Sequence, residues 1–121
     1  MTETIELQER KLGTRCCEGT AQPQLDPAAA QRLSDDLQIL GHPVRLQILD
    51  ILAQHAGQVC VCDLEAALPV KQPTVSHHLK LLRTAGLIDS EKHGQWAYYF
   101  IHRDSLAELR IRVSQWLNVL G

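Results

Sequence analysis

Large apolar residues recur at the three- and four-residue spacing of a helix through most of the chain. Leu33, Leu37 and Leu40 form one series, opened by Asp26-Pro27 and ended by Gly41. Asp suits the N-cap, and Pro suits the first helical position because an N–H there would have no helical partner. Val44, Ile48, Ile51 and Leu52 form a second series, behind His42-Pro43 and ahead of Gly57. Residues 63–68 predict a short helix stopped by Pro69, and residues 72–85 a longer one that ends before Gly86.

Beyond Gly86 the pattern changes. Residues 87–91 and 95–101 read as two strands, and Lys92-His93-Gly94 between them as the turn of a β-hairpin. Val59-Cys60-Val61-Cys62 is a short β-prone run. Residues 104–120 return to helical spacing, and Leu106, Leu109, Val113, Trp116, Leu117 and Leu120 make a stripe wide enough for a dimer interface. Upstream, Ile5, Leu7 and Leu12 give a weak helical stripe over 2–12, and the glycines and proline of 13–26 predict a mobile arm. The chain thus divides into an arm, 1–26, and a domain, 27–121. Its order is helix, helix, short strand, helix, helix, hairpin, helix, which predicts a mainly α (α+β) winged helix-turn-helix.

The 121 residues suffice for one domain and a tail, and 45% hydrophobic with 21% charged residues excludes a disordered chain. No run approaches the ~18 apolar residues of a membrane span. The acidic, amphipathic start does not read as a signal peptide, so a cytoplasmic protein without a membrane partner is expected. A net charge of −2 argues at face value against a nucleic-acid binder. Its distribution argues otherwise. Residues 1–36 hold seven acids and four bases, whereas residues 37–121 hold seven acids and eight bases. Between 71 and 83 stand Lys71, Lys80, Arg83, His77 and His78, and no acid.

On the predicted helix over 72–85, Val75, His78, Leu79 and Leu82 share one face and should pack inward. Gln72, Thr74, Ser76, His77, Lys80 and Arg83 occupy the others. Short hydrogen-bonding side chains at the start of a helix suit base edges in a major groove. The bases Lys71, Lys80 and Arg83 suit phosphates. Lys92, His93 and Gln95 at the hairpin tip suit a wing that touches DNA beside the groove. His78, on the inward face, reads as a buried hydrogen-bonded residue instead.

Three blocks, Val59–Leu68, Gln72–Leu87 and Lys92–Tyr99, resemble the ArsR/SmtB family of metal-sensing repressors, and Leu40–Leu49 resembles the start of that family's second helix. The likeness spans roughly residues 33–120 and is most specific in Ser76-His77-His78-Leu79 and in Cys60-Val61-Cys62-Asp63-Leu64. It implies N- and C-terminal dimerisation helices, a homodimer on double-stranded operator DNA, and release of that DNA when metal binds. Lys71 stands where the family often has a capping Ser, which predicts a phosphate contact at the expense of capping. The family's second metal site, of Asp and His on the last helix, should be missing, since 104–120 contain no histidine.

All four cysteines fall in two pairs, Cys16-Cys17 and Cys60/Cys62. In a chain expected to be cytoplasmic, thiols point to metal or redox chemistry before disulfide staples. Within a helix, residues i and i+2 project about 200° apart, so Cys60 and Cys62 should share a ligand only if 60–62 is extended and the helix begins near Cys62-Asp63. A helix start should also lower the thiol pKa. Arsenite-responsive members of the family often have a third cysteine three residues after the second, where this chain has Glu65. Cys16 or Cys17 would then complete the set from the arm, within or across subunits. Three soft thiolates suit As(III) or Sb(III), which is the favoured reading. Four suit Cd(II), Pb(II) or Zn(II), as in the family's cadmium and lead sensors.

The expected mechanism is linkage, in which ligand drawn onto 60–62 shifts helix 63–68 and, through it, the reading helix. An enzyme is not expected. A thiol oxidoreductase, a redox-sensing repressor with the same thiols, and a protein-binding winged helix are the other classes the sequence leaves open.

Overall fold

The computed structural model describes residues 21–121. The predicted helix over 2–12, most of the arm, and Cys16 and Cys17 lie outside the described residues. Five helices and one hairpin follow: α1 (Pro27–Leu40), α2 (Pro43–Gln54), α3 (Val61–Ala67), α4 (Gln72–Thr84), β1 (Ile88–His93), β2 (Trp96–Ile101) and α5 (Arg103–Leu120).

The helix starts follow from their caps. Asp26 Oδ1 accepts the Ala29 N–H at 2.8 Å, with Pro27 in the first turn. Asp26→Ala should therefore lower stability by about 1 kcal/mol, read as a lower denaturant midpoint at unchanged slope. His42 Nδ1 accepts the Val44 N–H at 3.1 Å and opens α2 in the same way. The deepest side chains are Ile48 and Leu52 of α2, Leu64 of α3, Val75, Leu79 and Leu82 of α4, and Ile88 of β1, each at most 2% exposed. The core thus lies between the helix-turn-helix and the root of the wing. Helix α5 adds Leu109, with Leu106 and Val113 at the edge. Helix α1 is tied to α5 by Arg112, whose Nε and Nη2 donate to Asp36 at 2.7 and 2.9 Å.

Two local expectations are corrected. The pairing of β1 with β2 runs from Ile88 opposite Ile101 to His93 opposite Trp96, so Lys92 and His93 belong to the strand and only Gly94-Gln95 turn. Gly94 takes φ +65°, which suits the first position of a two-residue hairpin turn whose twist matches that of the strands. The stretch 60–62 is not extended either. Only Val59 pairs, accepting the Tyr99 N–H at 2.7 Å, and α3 begins at Val61. The cause is Asp63, which folds back to accept the Cys60 N–H at 3.0 Å and so starts the helix directly after Cys60. Pro69 holds Leu68 extended, which ends α3 at Ala67.

Among the described residues, no helix is long and apolar enough to cross a membrane.

Candidate nucleic-acid interface and metal site

Helix α4 divides as its spacing predicts. Val75, His78, Leu79 and Leu82 are buried, and Gln72, Thr74, Ser76, His77, Lys80 and Arg83 are exposed. Lys71 is the N-cap and makes no capping bond, because an ammonium has nothing to accept with. Helix α3 packs against α4, giving the helix-turn-helix pair. Lys92, His93 and Gln95 are exposed at the wing tip. Acids temper that end of the surface: Arg83 Nε lies 3.5 Å from Asp89 Oδ1, and His93 Nε2 lies 3.8 Å from Glu91 Oε1. The positive end of the face is therefore the start and middle of α4, around Lys71 and Lys80.

His78 is 6% exposed, with Nδ1 3.2 Å from an Arg45 terminal nitrogen. It is the buried, hydrogen-bonded histidine that the pattern predicts. Burial first, and then the charges of His42, Arg45 and His77, push its pKa below the usual histidine value.

The thiol pair meets by a different route from the one expected. The sulfurs of Cys60 and Cys62 and a carboxylate oxygen of Asp63 lie within 4.8 Å of one another. Cys60 is the N-cap, with extended backbone (φ −100°, ψ 171°), and Cys62 is the second helical residue. An N-cap side chain leans over the first turn, so the i, i+2 pair converges even though Cys62 is helical. Asp63 Oδ2 accepts both the Cys60 N–H at 3.0 Å and the Cys60 thiol at 3.2 Å, a capping box with Cys in the usual place of Ser.

The predicted lowering of the thiol pKa is overturned at Cys60. Its value is raised, chiefly by the hydrogen bond it shares with the Cys62 side chain and then by burial, while the Asp63 backbone N–H works in the opposite direction. Asp63 is held below the usual carboxylate range, first by the Cys60 N–H and then by the Cys60 thiol.

Two sulfurs and one oxygen at these separations fit a soft or borderline cation. Zn–S bonds of about 2.3 Å in tetrahedral geometry place sulfurs roughly 3.8 Å apart. Glu65 is exposed and outside this cluster, and Cys16 and Cys17 lie outside the described residues. The sequence reading missed Asp63 as a donor, although its spacing from Cys60 is that of a capping box. It also missed Arg45, which acts on His78 across 33 positions and leaves no local signal.

The predicted stripe on α5 is split. Leu109 is buried, whereas Leu117 and Leu120 are 53% and 64% exposed. Beside them a groove of about 510 Å³ runs between α1 and α5, lined by Leu25, Leu33, Trp116 and Val119 among others.

Residues 42–90 match the bacterial regulatory protein, arsR family. The chain is 38% identical over 79 residues to an uncharacterised HTH-type transcriptional regulator of Methanocaldococcus jannaschii, covering 65% of this chain and 88% of that one. It is 46% identical over 61 residues to the arsenical resistance operon repressor of Escherichia coli, covering 50% of this chain and 51% of the repressor. It is 36% identical over 77 residues to the cadmium resistance transcriptional regulatory protein CadC of Listeria innocua, covering 64% of each. The match thus spans about half the length of the Escherichia coli repressor. Among solved structures, one described as a possible transcriptional regulator for arsenical resistance superposes with a TM-score of 0.62 at 30% identity, covering 68% of this chain and 83% of that one. The winged helix-turn-helix, the exposed face of α4 and these likenesses agree: the chain belongs to the ArsR family of DNA-binding transcriptional regulators.

Proposed function

We propose that this chain is a homodimeric repressor that holds operator DNA with α4 and the wing, and releases it when thiolates of Cys60 and Cys62 bind As(III) or Sb(III). Cys16 or Cys17 supplies the third sulfur. The observation that carries the reading is the convergence of both sulfurs at the start of the helix that packs against α4. Gln72, Thr74, Ser76 and His77 reach base edges, and Lys71, Lys80, Arg83, Lys92, His93 and Gln95 hold the backbone. The exposed apolar residues of α5 and the groove toward α1 take up the second copy.

Ligation asks two things of the chain. The Cys60 proton, held by Cys62 and Asp63, must leave, and the Cys60–Asp63 cap must give way or share its oxygen. Either change alters the first turn of α3, and Leu64, in the same turn, is wholly buried in the core cluster that includes Val75, Leu79 and Leu82 of α4. Differential affinity for the ligand between the DNA-bound and free arrangements is then the whole of the coupling.

A second reading keeps the fold and changes the inducer to Cd(II), Pb(II) or Zn(II). It is favoured by the Asp63 oxygen, a harder donor than sulfur, and by the likeness to the cadmium resistance regulator. Gel shift of operator DNA titrated with As(III), Sb(III), Cd(II), Pb(II) and Zn(II) separates the two. Release by the trivalent ions at the lowest concentrations is expected, release by a divalent ion alone supports the second reading, and release by peroxide alone would replace both with a redox switch.

A further inference from the structure

We infer that Arg45 and His78 are positioning residues for DNA binding, locking the reading helix α4 to the end of α1. The inference rests on the reading of α4 as the DNA-contacting helix and adds what holds that helix in place. One guanidinium makes all the links. Arg45 Nε donates to the Ile39 carbonyl at 2.7 Å, one terminal nitrogen donates to the Gln38 carbonyl at 3.0 Å, and the other lies 3.2 Å from His78 Nδ1. Gln38 and Ile39 stand in the last turn of α1, where carbonyls lack the usual i+4 partner; the Gln38 carbonyl also accepts the Gly41 N–H at 3.1 Å. A single planar fork thereby joins α1, α2 and α4. Lysine cannot substitute, because its ammonium has neither the reach nor the fixed divergence of donors.

The link fixes the state of His78. A guanidinium only donates, so Nδ1 must accept and the imidazole must be neutral with its proton on Nε2. The groups facing the ring are His42 at the start of α2, 4.3 Å between ring centroids, Arg45 of α2, and His77 of α4, edge-on at 5.4 Å. None is acidic. A proton on Nδ1 would set N–H against N–H and break the link.

The depressed pKa of His78 has a definite sign. Neutral His78 contributes stability that is present above the ordinary histidine value near 6.5 and is lost as pH falls through the depressed value of the folded chain.

The test uses the full chain and a duplex selected from a randomised pool by the wild-type protein, with binding measured at about pH 7.5 and about pH 5.5, on either side of the ordinary histidine value. Arg45→Met and His78→Leu should bind about tenfold more weakly or worse, with circular dichroism unchanged. His78→Asn keeps an acceptor in place of Nδ1 and cannot titrate. It should bind within about threefold of wild type at the higher pH and lose the weakening on acidification. Wild-type affinity in Arg45→Met, or a wild-type pH profile in His78→Asn, would overturn the inference. The second measurement carries the test even if Arg45→Met does not fold. Gln72→Ala separates the two levels: if it binds as wild type, the reading of α4 itself fails, and if it alone loses affinity, only the Arg45–His78 link fails.

Discussion

Changing Cys60 and Cys62 together to serine should abolish release of operator DNA by arsenite while leaving DNA affinity within about threefold of wild type. The affinity should survive because neither residue lies on the exposed face of α4, and because serine is the better N-cap. A serine hydroxyl at position 60 keeps the bond to Asp63 Oδ2 that the thiol makes at 3.2 Å. The response should vanish because two soft donors become hydroxyls. Loss of a supporting residue around a metal typically weakens binding 10- to 100-fold, so loss of two ligands should raise the half-release concentration by more than about 100-fold. Gel shift with increasing arsenite checks it, and release at wild-type concentrations would move sensing away from α3. Asp63→Asn then discriminates between inducers. Its amide oxygen still accepts the Cys60 N–H, but the charge is gone. A three-sulfur site should tolerate the change, and a divalent-ion site that uses the carboxylate should not.

That pair of thiols also marks where the sequence was legible and where it was not. Periodicity gave α4 almost without error, because burial on one face of a helix leaves a pattern every three or four residues: Val75, His78, Leu79 and Leu82 face in, and Gln72, Thr74, Ser76, His77, Lys80 and Arg83 face out. The caps of α1 and α2 were legible for the same local reason. At Cys60-Val61-Cys62 the two sulfurs do come together, but not through the extended backbone that the i, i+2 spacing predicts. An N-cap is neither strand nor helix interior: there an extended residue adjoins a helical one. The thiol pKa went the other way because a helix start is a weaker influence on Cys60 than its hydrogen bond to Cys62. The turn shortened from 92–94 to 94–95 because Lys92 and His93 carry no signal for either side and join β1, leaving Gly94 at φ +65° to lead the turn. Arg45 lay beyond any local rule, since its three acceptors come from α1 and α4.

Leu64→Ala should be the most damaging single truncation near the site. Leu64 is 0% exposed and packs in the cluster that holds Val75, Leu79 and Leu82. Removing a buried leucine to the β-carbon leaves a cavity and lowers stability by about 2–5 kcal/mol. In a domain of this size each kcal/mol is worth about 4–8 °C, so the thermal midpoint should fall by roughly 8–40 °C. Leu81→Ala, on the outer side of α4 and 36% exposed, should cost far less, which makes it the control for composition. The pair also tests the route of coupling. Leu64 stands next to Asp63 in α3 and shares the buried cluster with the core face of α4, so under the proposed mechanism it should carry movement at the thiols to the reading helix. At a temperature where Leu64→Ala is still folded, metal affinity should stay near that of wild type, since all three donors remain. The metal concentration needed to release operator should nevertheless rise, because the moving first turn of α3 no longer presses on α4. Metal binding by absorbance and DNA release by anisotropy, measured on the same sample, separate those two quantities. If they shift together, the coupling runs by another path.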